Sequence, residues 1–237
     1  MTDTVPRLLK LVAARFSPGE AFGLHLTIGV MIMLAFAWSF GVIVDEVFFD
    51  ADMIAVDEGI TAWFRQHWGS AFTAPMLFIT HWHSPLGVLV MAVAAAIWMQ
   101  CKRAHYWLLA LLLSVPGGML LNVLLKYTFE RARPSFEQPL ITLASYSFPS
   151  GHASGATLFY GLMAMWLLCS WRGWRARMAV VALAALMIGL VALSRVYLGA
   201  HYLSDVLAGI VVGCAWVTIC ITAVSTLRRH RLARQAG

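Results

Sequence analysis

Charged side chains are scarce in this chain of 237 residues, where Asp, Glu, Lys and Arg together make up 12%. Soluble domains usually contain about 25%. Six stretches carry no charged residue, and these are 21–44, 69–101, 104–125, 138–171, 178–194 and 206–227. A helix needs about 20 apolar residues to cross a bilayer. The lack of charge therefore excludes a soluble enzyme, a disordered chain and a nucleic-acid-binding domain, and it indicates a polytopic membrane protein.

Cysteine is also scarce, and the four residues present lie within the uncharged stretches or at their ends. This placement predicts no disulfide framework. The first apolar stretch is too long for a typical signal peptide, and no clear small-residue cleavage site follows it. The sequence contains no internal repeat and no low-complexity linker. We therefore expect one all-α membrane domain over residues 1–237.

The basic residues orient the predicted spans, because cytoplasmic loops are enriched in Lys and Arg. Twelve of the 17 basic residues form four blocks: Arg7, Lys10 and Arg15; Lys102 and Arg103; Arg172, Arg175 and Arg177; and Arg228, Arg229, Arg231 and Arg234. Six transmembrane helices place every block in the cytoplasm, and these are 22–44, 84–100, 105–126, 152–170, 178–194 and 205–227. Both termini are then predicted to be cytoplasmic.

A further, amphipathic helix is predicted between the first and second spans. Apolar side chains recur at helical spacing from Met53 to His67, and Asp52 is the expected N-cap. The polar side of this helix consists of Asp57, Glu58, Thr61 and Arg65. Two interpretations are open, an interfacial helix on the outer membrane surface and a helix that caps the bundle. Residues 69–85 either re-enter the membrane or begin the second span early.

Lys126 and Arg133 form the first of three polar groups at the predicted outer ends of the spans. They are seven residues apart, about two helical turns, so a continuing helix carries both cations on one face. Two cations at the rim of an apolar bundle suit a phosphate or another anion. The alternative is a basic pair that extends to the lipid headgroups. Between these two residues, Glu130 and Arg131 are expected to form a local ion pair.

The second group, residues 149–152 (Pro-Ser-Gly-His), directly precedes the fourth predicted span. Ser150 or Gly151 is expected at the helix N-cap, where free backbone N–H groups attract an anion. Gly151 permits a close approach of the backbone, and His152 adds a group that titrates near neutral pH. The alternative is an ordinary capped helix start with a histidine at the interface.

The third group, residues 194–205, joins the fifth and sixth spans and contains Ser194, Arg195, His201 and Asp205. His201 and Asp205 are four residues apart, so they share one face of a helix that begins near them. A carboxylate bonded to one ring nitrogen fixes the tautomer and leaves the other nitrogen free to attack or to accept a proton. A metal site is the rival interpretation, but the nearby cations oppose it and no carboxylate cluster accompanies the histidines.

The topology derived from charge places all three groups on the same outer side of the membrane. Together they supply three cations, a helix N-terminus and two histidines, one of which has a carboxylate partner. This inventory fits phosphoryl transfer through a phosphohistidine, with no metal and no other cofactor.

The three groups also resemble the motifs of a known family. They read Lys-x6-Arg-Pro from Lys126, Pro-Ser-Gly-His ending at His152, and Ser-Arg-x5-His-x3-Asp from Ser194. This series is similar to the three signature motifs of the type 2 phosphatidic acid phosphatase superfamily. The resemblance implies that His201 is the nucleophile, that Asp205 orients it, and that His152 is the general acid. It also implies a phosphate-binding set of Lys126, Arg133, Arg195, Ser150, Gly151 and Ser194.

The resemblance further implies a lipid phosphatase of a bacterial inner membrane, with its active site facing the periplasm. Expected substrates are undecaprenyl diphosphate, phosphatidate or phosphatidylglycerophosphate in the outer leaflet; no nucleic acid and no obligate protein partner are expected. A lipid phosphotransferase or a lipid A phosphatase would use the same residues. The alternative from another class is a membrane protein that binds an anion without turnover, which would need the three cations but neither His152 nor the His201–Asp205 pair.

Overall fold

Eight α-helices form the part of the chain that the structure describes. This computed structural model describes residues 23–67, 69–136, 140–141 and 144–236. The helices are α1 (Leu24–Phe49), α2 (Ala51–Gln66), α3 (Ser70–Trp82), α4 (Pro85–Cys101), α5 (His105–Phe129), α6 (Gly151–Ser170), α7 (Trp174–Tyr197) and α8 (Leu203–Ala236).

Five of these helices, α1, α5, α6, α7 and α8, are each long and apolar enough to cross a membrane. The second predicted span, 84–100, coincides with α4, which has only 17 residues. Together with α3, from which it is bent by 58°, α4 meets the same criterion and gives up to six spans. The prediction of an all-α polytopic membrane protein is therefore confirmed. The start of the first predicted span and the basic block at 7–15 lie outside the described residues.

The segment between α2 and α4 forms a helix of its own, either the first half of a broken span or a re-entrant stretch. α4 begins at Pro85, whose missing N–H is harmless at the first position of a helix. Ser84 caps α4 by accepting a hydrogen bond from the Gly87 N–H at 3.3 Å. A Cβ at Gly87 would collide with the carbonyl oxygen of Trp82, so the tight bend requires glycine there.

The amphipathic helix predicted between the first two spans is α2, but its N-cap is Asp50 and not Asp52. The backbone is still extended at Asp50, whose side chain accepts a hydrogen bond from the Asp52 N–H at 2.8 Å. Asp52 already belongs to the first turn. α2 packs against α1, α7 and α8 through a mixed face. Asp57 and Thr61 are buried there, and Ile60 and Phe64 pack against apolar clusters of the bundle, while Trp63 is exposed. α2 therefore caps the bundle through polar and apolar side chains together.

α6 lies at the centre of the bundle, where it packs against α4, α5, α7 and α8. Val115, Leu158 and Leu162 belong to the main apolar core among these helices and are fully buried. Near the N-terminus of α6, a Cβ at Gly209 of α8 would lie 2.5 Å from the Ser150 carbonyl oxygen. This close approach holds the start of α6 against α8, and it brings the second and third polar groups together.

Candidate active site

A cavity of about 340 Å³ opens where α5 ends and α6 begins. Five of the predicted site residues line it, drawn from all three polar groups: Lys126, Arg133, Gly151, His152 and His201. The remaining lining residues are Pro85, Met119, Asn122, Val123, Tyr127 and Ser145. The cavity therefore has a basic end at the connections between helices and an apolar wall on α4 and α5.

His201 lies in the short connection between α7 and α8, and its side chain is buried. Its Nδ1 is 3.5 Å from Asp205 Oδ2 and 3.3 Å from Ser147 Oγ. Its Nε2 is 3.2 Å from Arg133 Nη1, on the side of the cavity. Because a carboxylate only accepts hydrogen bonds, the Asp205 carboxylate beside Nδ1 favours the tautomer with the proton on Nδ1. The lone pair of Nε2 then accepts from Arg133, which lines the same cavity as His201.

The ionisation of His201 suits a nucleophile. Burial lowers the pKa of His201 to about 3; the charge of Asp205 opposes this shift, and Arg195 and Arg133 add to it. The imidazole is therefore neutral at neutral pH, and a neutral ring nitrogen is the form that can attack phosphorus.

Asp205, at the start of α8, is held by partners on several segments. Its Oδ2 accepts hydrogen bonds from Ser147 Oγ at 2.5 Å and from the Tyr202 N–H at 2.9 Å, besides facing His201. Its Oδ1 accepts from Arg131 Nη1 at 2.6 Å. The carboxylate is completely buried, so these donors replace the water that would otherwise solvate its charge.

Two of the three predicted cations hold the chain segment that precedes α6. Lys126 Nζ donates to the carbonyl oxygens of Tyr146 at 2.6 Å and Ser147 at 3.3 Å. Arg133 donates to the Ser145 carbonyl oxygen through Nε at 2.6 Å and to the Ala200 carbonyl oxygen through Nη1 at 2.6 Å. Both cations thus reach the cavity and fix the backbone around it.

The third cation, Arg195, is buried near the end of α7 with 1% of its surface exposed. Its Nη1 donates to Thr80 Oγ1 on α3. Its Nε and Nη2 have no hydrogen-bond partner among the described residues. A buried donor without a partner is costly, and a bound anion would satisfy it.

The N-terminus of α6 presents further donors. Ser150 is its N-cap, as one of the two predicted residues, and its buried Oγ has no partner in the described part of the chain. The Ser150 N–H donates to the Asp205 carbonyl oxygen at 2.9 Å. Gly151 follows at the cavity wall, where a Cβ would lie 3.1 Å from Asn122 Oδ1. The free N–H groups of the first turn suit an anion in this position.

The structure does not bring Ser194 to the cavity. Its hydroxyl is buried and donates to the Val191 carbonyl oxygen of its own helix at 2.7 Å. Ser194 therefore hydrogen-bonds within α7. The adjacent Arg195 does not line the cavity either, although its charge acts on His201.

The expected ion pair between Glu130 and Arg131 is wrong. Glu130 has a left-handed backbone at the end of α5, with φ of 46°, and the chain turns there so that Arg131 points inward. Arg131 instead pairs with Asp57 at 2.9 Å and with Asp205 at 2.6 Å. No local pattern in the sequence links Arg131, Asp57, Ser147 or Thr80 to the motifs, so their contacts with the site could not be predicted.

The donor set offers no metal centre in the described ranges. Within 23–67, 69–136, 140–141 and 144–236, no group of three or more His, Cys, Asp or Glu side chains is arranged to hold a metal ion.

Comparison with known proteins gives a consistent set of relatives. The sequence model of the PAP2 superfamily matches residues 107–229. Phosphatidylglycerophosphatase B of Bacillus subtilis (strain 168) is 35% identical over 151 residues, which cover 63% of this chain and 72% of the relative. Lipid A 1-phosphatase of Rhizobium johnstonii is 35% identical over 117 residues, which cover 46% of this chain and 43% of the relative.

Solved structures agree with these matches. The crystal structure of a transmembrane PAP2 type phosphatidylglycerolphosphate phosphatase from Bacillus subtilis superposes with a TM-score of 0.73 and 29% identity, covering 79% of this chain and 93% of that one. The LpxE protein of Aquifex aeolicus superposes with a TM-score of 0.55 and 20% identity, covering 69% of this chain and 93% of that one. The second similarity concerns the fold alone.

Proposed function

This chain belongs to the PAP2 superfamily, and from that premise we propose that it is a membrane phosphatase that hydrolyses a phosphate ester or diphosphate on a lipid headgroup. The observation that carries the proposal is the placement of His201. His201 lines a cavity together with Lys126 and Arg133; its Nε2 contacts Arg133, while its Nδ1 faces Asp205. A neutral, oriented imidazole among cations is suited to attack on a phosphoryl group.

In the proposed reaction, His201 Nε2 attacks phosphorus and forms an N–P bond while the bond from phosphorus to the leaving oxygen breaks. His152 donates a proton to that leaving oxygen, and the lipid product departs. Water then attacks phosphorus and gives a proton to His152, the N–P bond breaks, and inorganic phosphate leaves, which restores His201 and His152. Asp205 stabilises the positive charge that the imidazole carries in the intermediate.

Catalysis would come mainly from charge neutralisation around the phosphoryl group. Lys126 and Arg133 line the cavity, and Arg195 adds the two unpartnered nitrogens of its buried guanidinium. Ser150 Oγ and the backbone at Gly151 add neutral donors at the N-terminus of α6. These groups would stabilise the negative charge of the phosphoryl oxygens in the transition state.

We further propose phosphatidylglycerophosphate as the first substrate to test. The named activities of the Bacillus subtilis relatives support this choice, and the apolar wall formed by Pro85, Met119 and Val123 suits the lipid part of the molecule. Lipid A, as in the name of the Rhizobium johnstonii relative, phosphatidate and undecaprenyl diphosphate are the competing substrates. A phosphotransferase would differ only in the acceptor, a lipid hydroxyl in place of water.

The site is proposed to face the periplasm from a bacterial inner membrane. The cavity lies at the end of α5 and the start of α6, whereas the basic blocks 102–103, 172–177 and 228–234 lie at the opposite helix ends. Since basic blocks favour the cytoplasm, this arrangement supports an outward-facing site and a cytoplasmic C-terminus.

The proposal is tested by measuring phosphate release from these four lipids by the detergent-purified protein in EDTA. His201→Ala is the test variant, and His81→Ala, which removes an exposed histidine of α3, is the matched control. We expect release by the wild type and the control and none by His201→Ala. Release by His201→Ala at the wild-type rate would overturn the nucleophile. If the wild type releases phosphate from none of the four lipids, the proposed hydrolase activity is overturned. If release requires an added metal, the metal-free mechanism is overturned.

A further inference from the structure

Arg131 joins two buried carboxylates that belong to different helices. Its Nη2 is 2.9 Å from Asp57 Oδ2 on α2, and its Nη1 is 2.6 Å from Asp205 Oδ1 on α8. Both carboxylates have at most 1% of their side-chain surface exposed. The guanidinium also lies over the ring of Tyr202, 4.4 Å from its centre. A planar guanidinium fixed in this way sets the distance and orientation of both acids.

Asp57 binds the start of α8 as well as Arg131. Its Oδ1 accepts a hydrogen bond from the Ser204 N–H at 3.1 Å, and its Oδ2 accepts one from Ser204 Oγ. Ser204 is in the first turn of α8, directly before Asp205. A carboxylate at a helix N-terminus satisfies free N–H groups and complements the helix dipole. Asp57 therefore acts as a cap that one helix supplies to another.

The oxygens of Asp205 have separate partners. In the described structure Oδ1 accepts from Arg131, while Oδ2 accepts from Ser147 and the Tyr202 N–H and faces His201 Nδ1. The contact with Arg131 thus fixes the rotation of the carboxylate and leaves Oδ2 turned towards the imidazole. Arg131 does not line the cavity, and both of its terminal nitrogens are paired with carboxylates. It is therefore placed to act on Asp205 and not on a bound phosphate.

We propose that Arg131 is a positioning residue for the reaction. We also propose that α2 contributes to this positioning, because its Asp57 holds Arg131 in place. The guanidinium holds Asp205 in the rotation that orients His201, and Asp57 holds the guanidinium and the start of α8 together. Docking of α2 on the bundle therefore sets the geometry of the nucleophile. This inference rests on the proposed function, since it assigns a part in the attack by His201.

The test compares Arg131→Met, Arg131→Lys and Asp57→Asn with the wild type. Glu58→Gln is the matched control, because it neutralises the adjacent acid, which is exposed. For each variant we would measure kcat and KM for lipid phosphate release, and the inhibition constants of vanadate and inorganic phosphate. Vanadate adopts five-coordinate geometry and so resembles the transition state, whereas phosphate resembles a ground state.

Arg131→Met is expected to lower kcat by about 10- to 100-fold, the range for residues that orient a metal-binding histidine. The affinity for vanadate should weaken in parallel, while KM and the affinity for phosphate stay within about threefold. The kcat of Arg131→Lys should lie between those of the wild type and Arg131→Met, because an ammonium group cannot bind both carboxylates in the same geometry. Asp57→Asn should lower kcat less than Arg131→Met does. The variant that combines Asp57→Asn with Arg131→Met should have a kcat no lower than that of Arg131→Met alone.

Each other outcome is decisive. Full activity of Arg131→Met beside an active wild type overturns this inference alone, whereas an inactive wild type overturns the proposed function. A lower kcat with both inhibition constants unchanged means fewer folded molecules and overturns the positioning role. If Arg131→Met does not fold, as judged by size-exclusion chromatography, the same measurements on Arg131→Lys and Asp57→Asn decide, and unchanged vanadate affinity in both refutes the inference.

Discussion

Replacing Arg195 by methionine is expected to stabilise the folded protein while removing its activity. Arg195 Nη1 donates to Thr80, but Nε and Nη2 are buried without a partner among the described residues. A buried donor without a partner costs about 1–3 kcal/mol, and a hydrogen bond to a charged group contributes about 1.5–3 kcal/mol. At mid-range values, removing two such penalties (about 4 kcal/mol) and losing one such bond (about 2 kcal/mol) leaves a net gain of about 2 kcal/mol in the free energy of unfolding.

The same substitution removes one of the three cations proposed to bind the phosphate. An arginine that stabilises charge on a transferring phosphoryl group is worth about 10³–10⁵ in kcat. We therefore expect Arg195→Met to lose phosphate release by a factor in this range. A variant that gains stability and loses activity would identify Arg195 as a residue retained for chemistry at the expense of the fold.

Both effects can be measured on the detergent-purified protein in a buffer without phosphate. In a chain of this size each kcal/mol shifts Tm by about 2–4 °C, so a gain of about 2 kcal/mol should raise the Tm of Arg195→Met by about 4–8 °C. Vanadate should raise the Tm of the wild type but not that of Arg195→Met. Arg172→Met, which removes an exposed arginine at the opposite end of the bundle, is the control and should change neither property. A lower Tm for Arg195→Met, or turnover within about tenfold of the wild type, would refute the reasoning.

Two further predictions concern the histidines. His152→Ala should lower kcat on a lipid substrate by about 10²–10⁴-fold. The loss should be far smaller on an aryl phosphate, because its leaving oxygen needs no proton. Equal losses on both substrates would contradict the assignment of His152 as the general acid. Because burial lowers the pKa of His201 to about 3, the unfolded chain takes up a proton below about pH 6.5 that the folded protein does not. The free energy of unfolding should therefore fall as the pH decreases from about 6.5 towards 3, and less steeply in His201→Gln; equal slopes in denaturant titrations would argue against a neutral, buried His201.

The membrane architecture and the location of the cavity could be predicted because both follow from local properties of the sequence. Apolar stretches of about 20 residues mark spans, and basic blocks mark their cytoplasmic ends. Consecutive spans alternate in direction. Groups at the end of the third span, at the start of the fourth, and between the fifth and sixth must then meet on one side, as Lys126, His152 and His201 do.

Contacts between distant segments could not be predicted in this way. Thr80 is 115 residues from Arg195, and Asp57 is 74 residues from Arg131. Periodicity predicted the amphipathic helix α2, but its packed face combines Asp57 and Thr61 with Ile60 and Phe64. Only the docking of α2 on α7 and α8 decides which side chains that face contains and which partners they meet. The N-cap of the same helix was misplaced because Asp50 and Asp52 are equally suitable caps by composition. The choice depends on where the backbone becomes extended, which the sequence does not specify.

The contacts of Arg133 have a consequence for the selectivity of His201 as the proposed nucleophile. Nη1 faces the lone pair of His201 Nε2 at 3.2 Å, and the other guanidinium nitrogens are engaged with Ser145 and Tyr146. Arg133 thus masks the His201 nitrogen that would attack phosphorus. A ligand rich in phosphate oxygens would compete with His201 for the guanidinium and so would free the nitrogen, whereas a neutral electrophile would not. Binding of the substrate itself would then make His201 Nε2 available for attack.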